Sequence, residues 1–447
     1  MTAIPPTARI APPLRELPRL DAAVRALVLR AFAHIRHGEL EIVEDGGVRH
    51  RFGSLAEFPV RAIVHVHRPT FYRAIATGSL SGAFSYINGE WDCPDLVALV
   101  RLAARNLDTL DRLQAAVAPL LRPLRAGREW LRRNTRSRSR EHIAQHYDIG
   151  NDLYSLMLDD TMSYSSGIFD SPGTSLHDAS LAKIDRLCRK LDLRASDHLV
   201  EIGTGWGALA VHAAQTYGCR VTTTTISEEQ HALATERVQR AGVTDRVTVL
   251  LDDYRDLRGR FTKLVSVEMI EAIGWRYWDR FFKQCSRLLV DDGLAAIQAI
   301  CQPLQTDKAT RGQRTFINTT IFPGGHCPSV EALLDATARA GDLRLVNLED
   351  ITRHYPTTLA AWRANLLHNA SRLPARFDER FLRTWTLYLS FCEAAFTERR
   401  ITDLQLVFAK PAFHDERLPS WGGKPVAQPG VRIEEPALIG ARQLLAP

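Results

Sequence analysis

VEIGTGWGALA, residues 200–210, is the stretch on which the fold turns. The apolar run HLVEIG (198–203) brings Glu201 and Gly203 to a strand end. Gly205 and Gly207 follow before ALAVHAAQTY (208–217) takes up helical spacing. Strand, glycine turn and helix let the backbone approach a ligand, and the helix start offers free N–H groups. Ala208 completes G-x-G-x-x-A, a loose dinucleotide fingerprint. Two features oppose NAD. The next strand ends TTTTIS (222–227) without the ribose-binding acid expected about 20 residues on. Glu201 also stands two residues before the first glycine, where its carboxylate suits the ammonium of a zwitterionic methionine tail. The loop alone favours an S-adenosylmethionine methyltransferase over an NAD enzyme, with a purely structural turn as the third reading.

Outward from the loop, helices and apolar strands alternate. SEEQHALATERVQRAG (227–242) is a helix ending at Gly242, and VTVLLD (247–252), KLVSVEM (263–269) and GLAAIQAI (293–300) are strands. This is the βαβ signature of a parallel, doubly wound α/β sheet. A long helix over Glu379–Glu398 precedes a last strand, ITDLQLVFAKP (401–411). Upstream, Val24, Leu27, Val28, Ala31 and Phe32 recur at helical spacing. LEIVEDGGVRHRFG (40–53) carries a turn signal at Gly46-Gly47, and RAIVHVHRP (61–69) alternates as a half-buried strand does. The expected organisation is a small α+β domain over 18–106, an arginine-rich helical linker over 107–142, the α/β domain over 143–411 and a tail over 412–447.

A chain of 447 residues is too long for one ordinary core, consistent with two domains. Its net charge of +6 fits anionic partners, and equally an arginine-rich composition with no such partner. The linker adds Arg122, Arg125, Arg128, Arg132, Arg133, Arg136, Arg138 and Arg140, read evenly as a lipid-headgroup surface or a solvated helix. Seven scattered cysteines, none spaced as CxxC, argue against zinc or a disulfide framework and for a reducing cytoplasm. The first residues lack the apolar core of a secretory signal, and no run of about 18 apolar residues exists. Any membrane contact is therefore expected to be peripheral.

Several motifs resemble the cyclopropane fatty acid synthases in order and spacing. They are HYDIGNDLYSLMLDDTMSYSSGIF (146–169), VEIGTGWG (200–207), TTISEEQ (224–230), LLDDYRDL (250–257), SVEMIEAIG (266–274), FINTTIFPGGHCPS (316–329) and YPTTLAAW (355–362). FYRAIATGSLSGAFSYINGEWDCPDL (71–96) resembles the small lipid-carrier-like domain of the phospholipid-acting members. The resemblance runs from about residue 25 to 411. It implies a class I methyltransferase fold with a terminal antiparallel strand, and S-adenosylmethionine as cofactor. The implied substrate is an unsaturated fatty acyl chain in phospholipid, met at an anionic membrane surface on the inner face. A homodimer is usual in the phospholipid-acting members. A nucleic-acid methyltransferase would want an Asn-Pro-Pro-Tyr-like or Pro-Cys motif, and neither stands in the core.

The family methylates a carbon–carbon double bond. A weak alkene nucleophile needs the sulfonium methyl in line, and the resulting carbocation needs aromatic faces and dryness. A base then removes a proton. In the family that base is a bound bicarbonate. Its ligands carry over to Ser166, in the usual cysteine position, Glu271, Gln298, in the usual histidine position, and Tyr355. Cofactor contacts carry over to Tyr164, Ser165, Glu201, Gly203, Gly205, Gly207, Thr224, Thr225, Ile226, Gln230, Tyr254 and Val267. No residue is expected to bind metal. Apart from the resemblance, Glu271 reads as a helix-capping carboxylate, Tyr355 as a packing residue and Cys301 as a small apolar one.

Ser166 keeps a hydroxyl and its backbone N–H, whereas Gln298 cannot carry a proton charge; both departures weaken the bicarbonate reading. EMIEAIGWRYW with AIQAI resembles a subgroup linked to fatty acid methylation, including 10-methylene products. The leading expectation is a cyclopropane ring. The alternatives are a 10-methylene or methyl-branched chain, or a lipid-binding protein without chemistry. Helices within 305–400 are expected to line the acyl slot with Phe316, Phe322, Trp362 and Phe391.

Overall fold

A computed structural model describes residues 19–113 and 150–414. The proline-rich start, the arginine stretch from Arg122 to Arg140, the His146–Asp148 cluster and all but the first residues of the tail lie outside the described residues.

In the N-terminal part, helix α1 (Arg19–Phe32) buries Val24, Val28 and Phe32, spaced four apart along one face. Strands β1 (Gly38–Glu44) and β2 (Arg49–Ser54) form an antiparallel hairpin. Gly46 and Gly47 adopt positive φ angles of 99° and 85° at its turn, as the sequence requires. β3 (Arg61–Val66) runs parallel to β1, and β4 (Trp91–Asp92) completes the order β2-β1-β3-β4. Helices α2 (Thr70–Thr77) and α3 (Ser79–Ile87) stand between β3 and β4 in the chain, and α4 (Leu96–Arg105) follows β4. The carboxylate of Asp95 caps α4 by accepting from Ala98 N at 2.8 Å.

The second part begins with α5 (Gly150–Met157) and α6 (Leu176–Lys190). Then come β5 (His198–Ile202), α7 (Ala208–Tyr217), β6 (Arg220–Thr224), α8 (Glu228–Arg240), β7 (Val247–Leu250) and β8 (Phe261–Val267). α9 (Trp278–Leu288), β9 (Leu289–Cys301), α10 (Leu304–Thr310), α11 (Val330–Ala340) and β10 (Arg344–Asp350) follow. α12 (Tyr355–His368), α13 (Glu379–Thr397) and β11 (Thr402–Ala409) finish the fold. The sheet order is β10-β11-β9-β8-β5-β6-β7, parallel from β7 to β9. β11 is antiparallel to β9, as expected, but it is not the edge. β10 lies outside it, inside a stretch expected to be helical. Its mostly exposed residues, with a bulge between Leu345 and Asn347, hide an edge strand from periodicity.

The two parts share one apolar core, in which Phe71 and Trp91 belong to the same cluster as Trp206, Trp362 and Trp385. Polar contacts reinforce it: Arg101 donates to Glu398 at 2.7 Å, and Arg383 donates to the carbonyls of Tyr86 (2.7 Å) and Trp91 (2.8 Å). Among the described residues no helix is long and apolar enough to cross a membrane.

Candidate active site

The C-terminal ends of β5, β6, β8 and β9 converge above the sheet, where a doubly wound fold opens its crevice. β8 ends at Val267, and the next residue, Glu268, has a φ of 48°. A left-handed non-glycine residue costs about 1–3 kcal/mol and persists only where its surroundings hold it. Here they do. The Glu268 N–H donates to the Gln298 carbonyl on β9 at 2.9 Å. Its carboxylate accepts from Ser166 N at 3.0 Å and Gln298 Nε2 at 2.8 Å on Oε1, and from Tyr355 OH at 2.5 Å on Oε2. Burial raises the Glu268 pKa, and these donors oppose the rise.

Ser166, Gln298 and Tyr355 are thus brought together, around a glutamate absent from the sequence expectations. The Ser166 hydroxyl turns away and donates to the Gly167 carbonyl at 3.1 Å. The donors expected to hold bicarbonate are occupied by Glu268, and a second anion would sit beside a buried carboxylate. The residues present do not fit bicarbonate.

Glu271 stands apart from this cage. Its Oε1 accepts from Ile300 N at 2.5 Å, while Oε2 is buried without a partner. Burial, then the charge of Glu268, pushes its pKa up to about 8. It ties the loop after β8 to β9, with the His326 N–H donating to the Glu271 carbonyl at 2.8 Å.

Gly203, Gly205 and Gly207 have φ angles of 100°, 52° and 86°. A side chain at Gly205 would meet nothing within 4 Å, so the space above the loop is open. Glu201 is buried, accepts from Thr223 Oγ1 at 2.6 Å, and burial raises its pKa to about 8. Thr224 O accepts from the N–H groups of Gly203 and Thr204, joining the loop to β6. Thr225 Oγ1 donates to Gln230 Oε1 at 2.8 Å. Ile226 is 77% exposed, an unusual setting for an isoleucine at a strand end. Tyr254 is half-buried, with its ring 5.6 Å from Phe281, and Val267 pairs in register with Gln298.

Tyr164 and Ser165 belong to the segment that carries Ser166. Ser165 Oγ accepts from Lys183 Nζ at 2.9 Å. Lys183 is buried, which lowers its pKa, and the charges of Glu268, Asp403, Glu201 and Asp159 oppose that fall. Tyr164 OH lies 2.8 Å from Tyr388 OH, and its ring is 5.2 Å from Trp362 and 6.3 Å from Phe322. The Tyr355 ring stacks on Phe396 at 4.2 Å. Of the residues expected in the acyl slot, Phe316 and Trp362 are buried, and Phe322 and Phe391 are partly exposed.

Glu268, Asp403 and Lys183 are absent from the residues expected from sequence. A signal existed for two of them. Glu268 sits inside SVEMIEAIG three residues before Glu271, and Asp403 and Gln405 alternate as polar residues in an otherwise apolar strand. Lys183 carries no such mark.

A profile described as mycolic acid cyclopropane synthetase matches residues 134–406. The tuberculostearic acid methyltransferase UfaA1 of Mycobacterium tuberculosis is 37% identical over 398 residues, covering 86% of this chain and 90% of that protein. The cyclopropane-fatty-acyl-phospholipid synthase of Escherichia coli K12 is 33% identical over 359 residues, covering 78% and 88%. The crystal structure of mycolic acid cyclopropane synthase CmaA1 complexed with SAH and CTAB matches with a TM-score of 0.56 at 28% identity, over 60% of this chain and 96% of that one.

Proposed function

The chain belongs to the cyclopropane synthase family of S-adenosylmethionine-dependent methyltransferases that act on lipids, and on that premise we propose that it methylates the double bond of an unsaturated fatty acyl chain with Glu268 as the base. The observation that carries this reading is the Glu268 carboxylate, partly buried and held by three donors, one of them Tyr355, whose ring lies 6.2 Å from that of Trp362.

The residues present fit S-adenosylmethionine. A buried carboxyl with a raised pKa gains from a cation, and Glu201 would hold the ammonium of the methionine tail. The open space above Gly205 admits the backbone-hugging part of the molecule, and exposed Ile226 offers an apolar face to a base. When bound, the cofactor supplies an electrophilic methyl group. The chain's own residues do the rest. Tyr164, Trp362 and Phe322 exclude water and turn ring faces toward the positive charge that develops on the acyl chain. Glu268 takes the proton, and the C–H electron pair becomes the new bond.

We assign a methylene-branched acyl chain as the product. Loss of a methyl proton after a hydride shift places the electron pair in a C=CH2 double bond at the branch carbon and needs no reductant. The tuberculostearic acid methyltransferase relative and the self-supplied base support this assignment. The second reading is a cyclopropane ring, favoured by the family profile and the E. coli relative. Gas chromatography–mass spectrometry of lipids from an expressing host separates them: a gain of one CH2 that takes up hydrogen marks the methylene, and one that resists marks the ring.

The proposed substrate is a phospholipid at an anionic bilayer, supported by the net charge of +6 and by the E. coli relative. Failure to float with anionic vesicles at low salt would argue against it.

A further inference from the structure

Behind Glu268 lies a second carboxyl that no step above uses. Asp403, on β11, is fully buried. The Gln298 amide donates one N–H to Glu268 Oε1 at 2.8 Å and the other to Asp403 Oδ2 at 2.9 Å. Its orientation is fixed from the far side, because Gln405 Nε2 donates to Gln298 Oε1 at 3.1 Å. One amide therefore clamps two carboxyls in the dry interior of the sheet. Two carboxyls held by one amide away from water repel each other when both are ionised, which favours a proton retained on the pair.

The donors say where that proton rests. Glu268 receives three, from Ser166, Tyr355 and Gln298. Asp403 receives one on Oδ2, while its Oδ1 is buried without a partner. On the same face of β11, two residues along, Gln405 Oε1 is also a buried acceptor without a donor. A neutral Asp403 turns one of these two stranded acceptors into an O–H. The other groups facing Asp403 are Glu271 on the loop after β8, Lys183 on α6, Tyr355 on α12 and Cys301 on β9. Lys183 is the cation among them, one positive charge against three carboxyls.

We propose that Glu268 and Asp403 hold one proton between them, carried on Asp403 in the resting enzyme, so that Asp403 is the positioning residue that keeps Glu268 an ionised base. During turnover the proton leaving the methylated acyl cation goes to Glu268, its C–H electron pair stays on the product, and the pair then holds two protons. One is discharged to solvent after product release, restoring the single-proton state. The inference rests on Glu268 as the base.

Among the described aspartates only Asp403 has its pKa raised, so its protonated form is separable by labelling. In infrared spectra of the full-length enzyme near neutral pH, a protonated-carboxyl C=O band should shift when aspartate carboxyls carry heavy carbon. Asp403→Asn should lose that band. Absence of a label-sensitive band in the wild type overturns the proposal, whether or not Asp403→Asn folds. So does an Asp403→Asn enzyme that binds S-adenosylmethionine and keeps the label-sensitive band. A fully active Glu268→Gln would instead remove Glu268 as the base, an outcome the infrared band does not share.

Discussion

Both sheets bury glutamates, and they treat them in opposite ways. In the N-terminal sheet Glu41 meets Arg49 at 2.9 Å and also Arg61, while Glu44 accepts from Arg25 at 2.7 and 2.9 Å and from the Tyr72 hydroxyl. Despite burial, both carboxyls are held below the usual glutamate range by these partners. In the large sheet Glu201, Glu268 and Asp403 share one buried lysine, and these three and Glu271 are all pushed up. Arginines supplied in number make a carboxylate a structural ion. Withholding them leaves an acid whose proton can move, the condition a general base requires.

The strongest way to break this contrast is Glu268→Gln. Loss of a general base should lower kcat by about 10^2–10^4-fold. Cofactor affinity by calorimetry should stay nearly unchanged, and Glu271→Gln should lose far less. Equal losses from the two variants would erase the distinction drawn between them.

Glu44→Gln should do the reverse, costing about 2 kcal/mol of stability by stranding Arg25 while leaving cofactor affinity intact. Urea unfolding followed beside calorimetry would show it, and a kinetic defect without a stability defect would contradict it. Next in size is Glu201→Gln, expected to weaken S-adenosylmethionine binding about tenfold by removing the carboxylate that meets its ammonium. An unchanged affinity would place the methionine tail elsewhere.

The last effect is a slope with pH. A carboxyl raised on folding binds its proton more tightly in the folded state, so its contribution to stability falls as pH rises from about 4.5 toward about 8, the window of Glu201 and Glu271. Lowered carboxyls such as Glu41 and Glu44 contribute stability above their unfolded pKa and lose it as pH falls. Glu271→Gln should therefore gain on the wild type as pH rises through that window, by at most about 1.4 kcal/mol per pH unit. A gain toward low pH would reverse the sign argued for Glu271.

Most of the methyltransferase sheet was legible because parallel strands buried on both faces read as apolar runs between helical periods, and the glycine loop marked its crevice. β10 was not, since an exposed edge strand has neither period nor apolar run. Ser166, Gln298 and Tyr355 were picked out by resemblance, and their convergence is real. What they converge on was hidden. Glu268 enters the cage from a left-handed backbone position just after β8, which no local pattern announces.

By itself, then, the sequence determined the α/β class, the glycine loop and the family, because these rest on local periodicity and contiguous motifs. The tertiary structure decided which carboxyl is surrounded by donors and which other carboxyl shares its amide. Those facts join residues 166, 268, 298, 355 and 403 from five separate segments of the chain. The protonation of a buried group is set by the sum of what surrounds it, and no stretch of chain contains that sum.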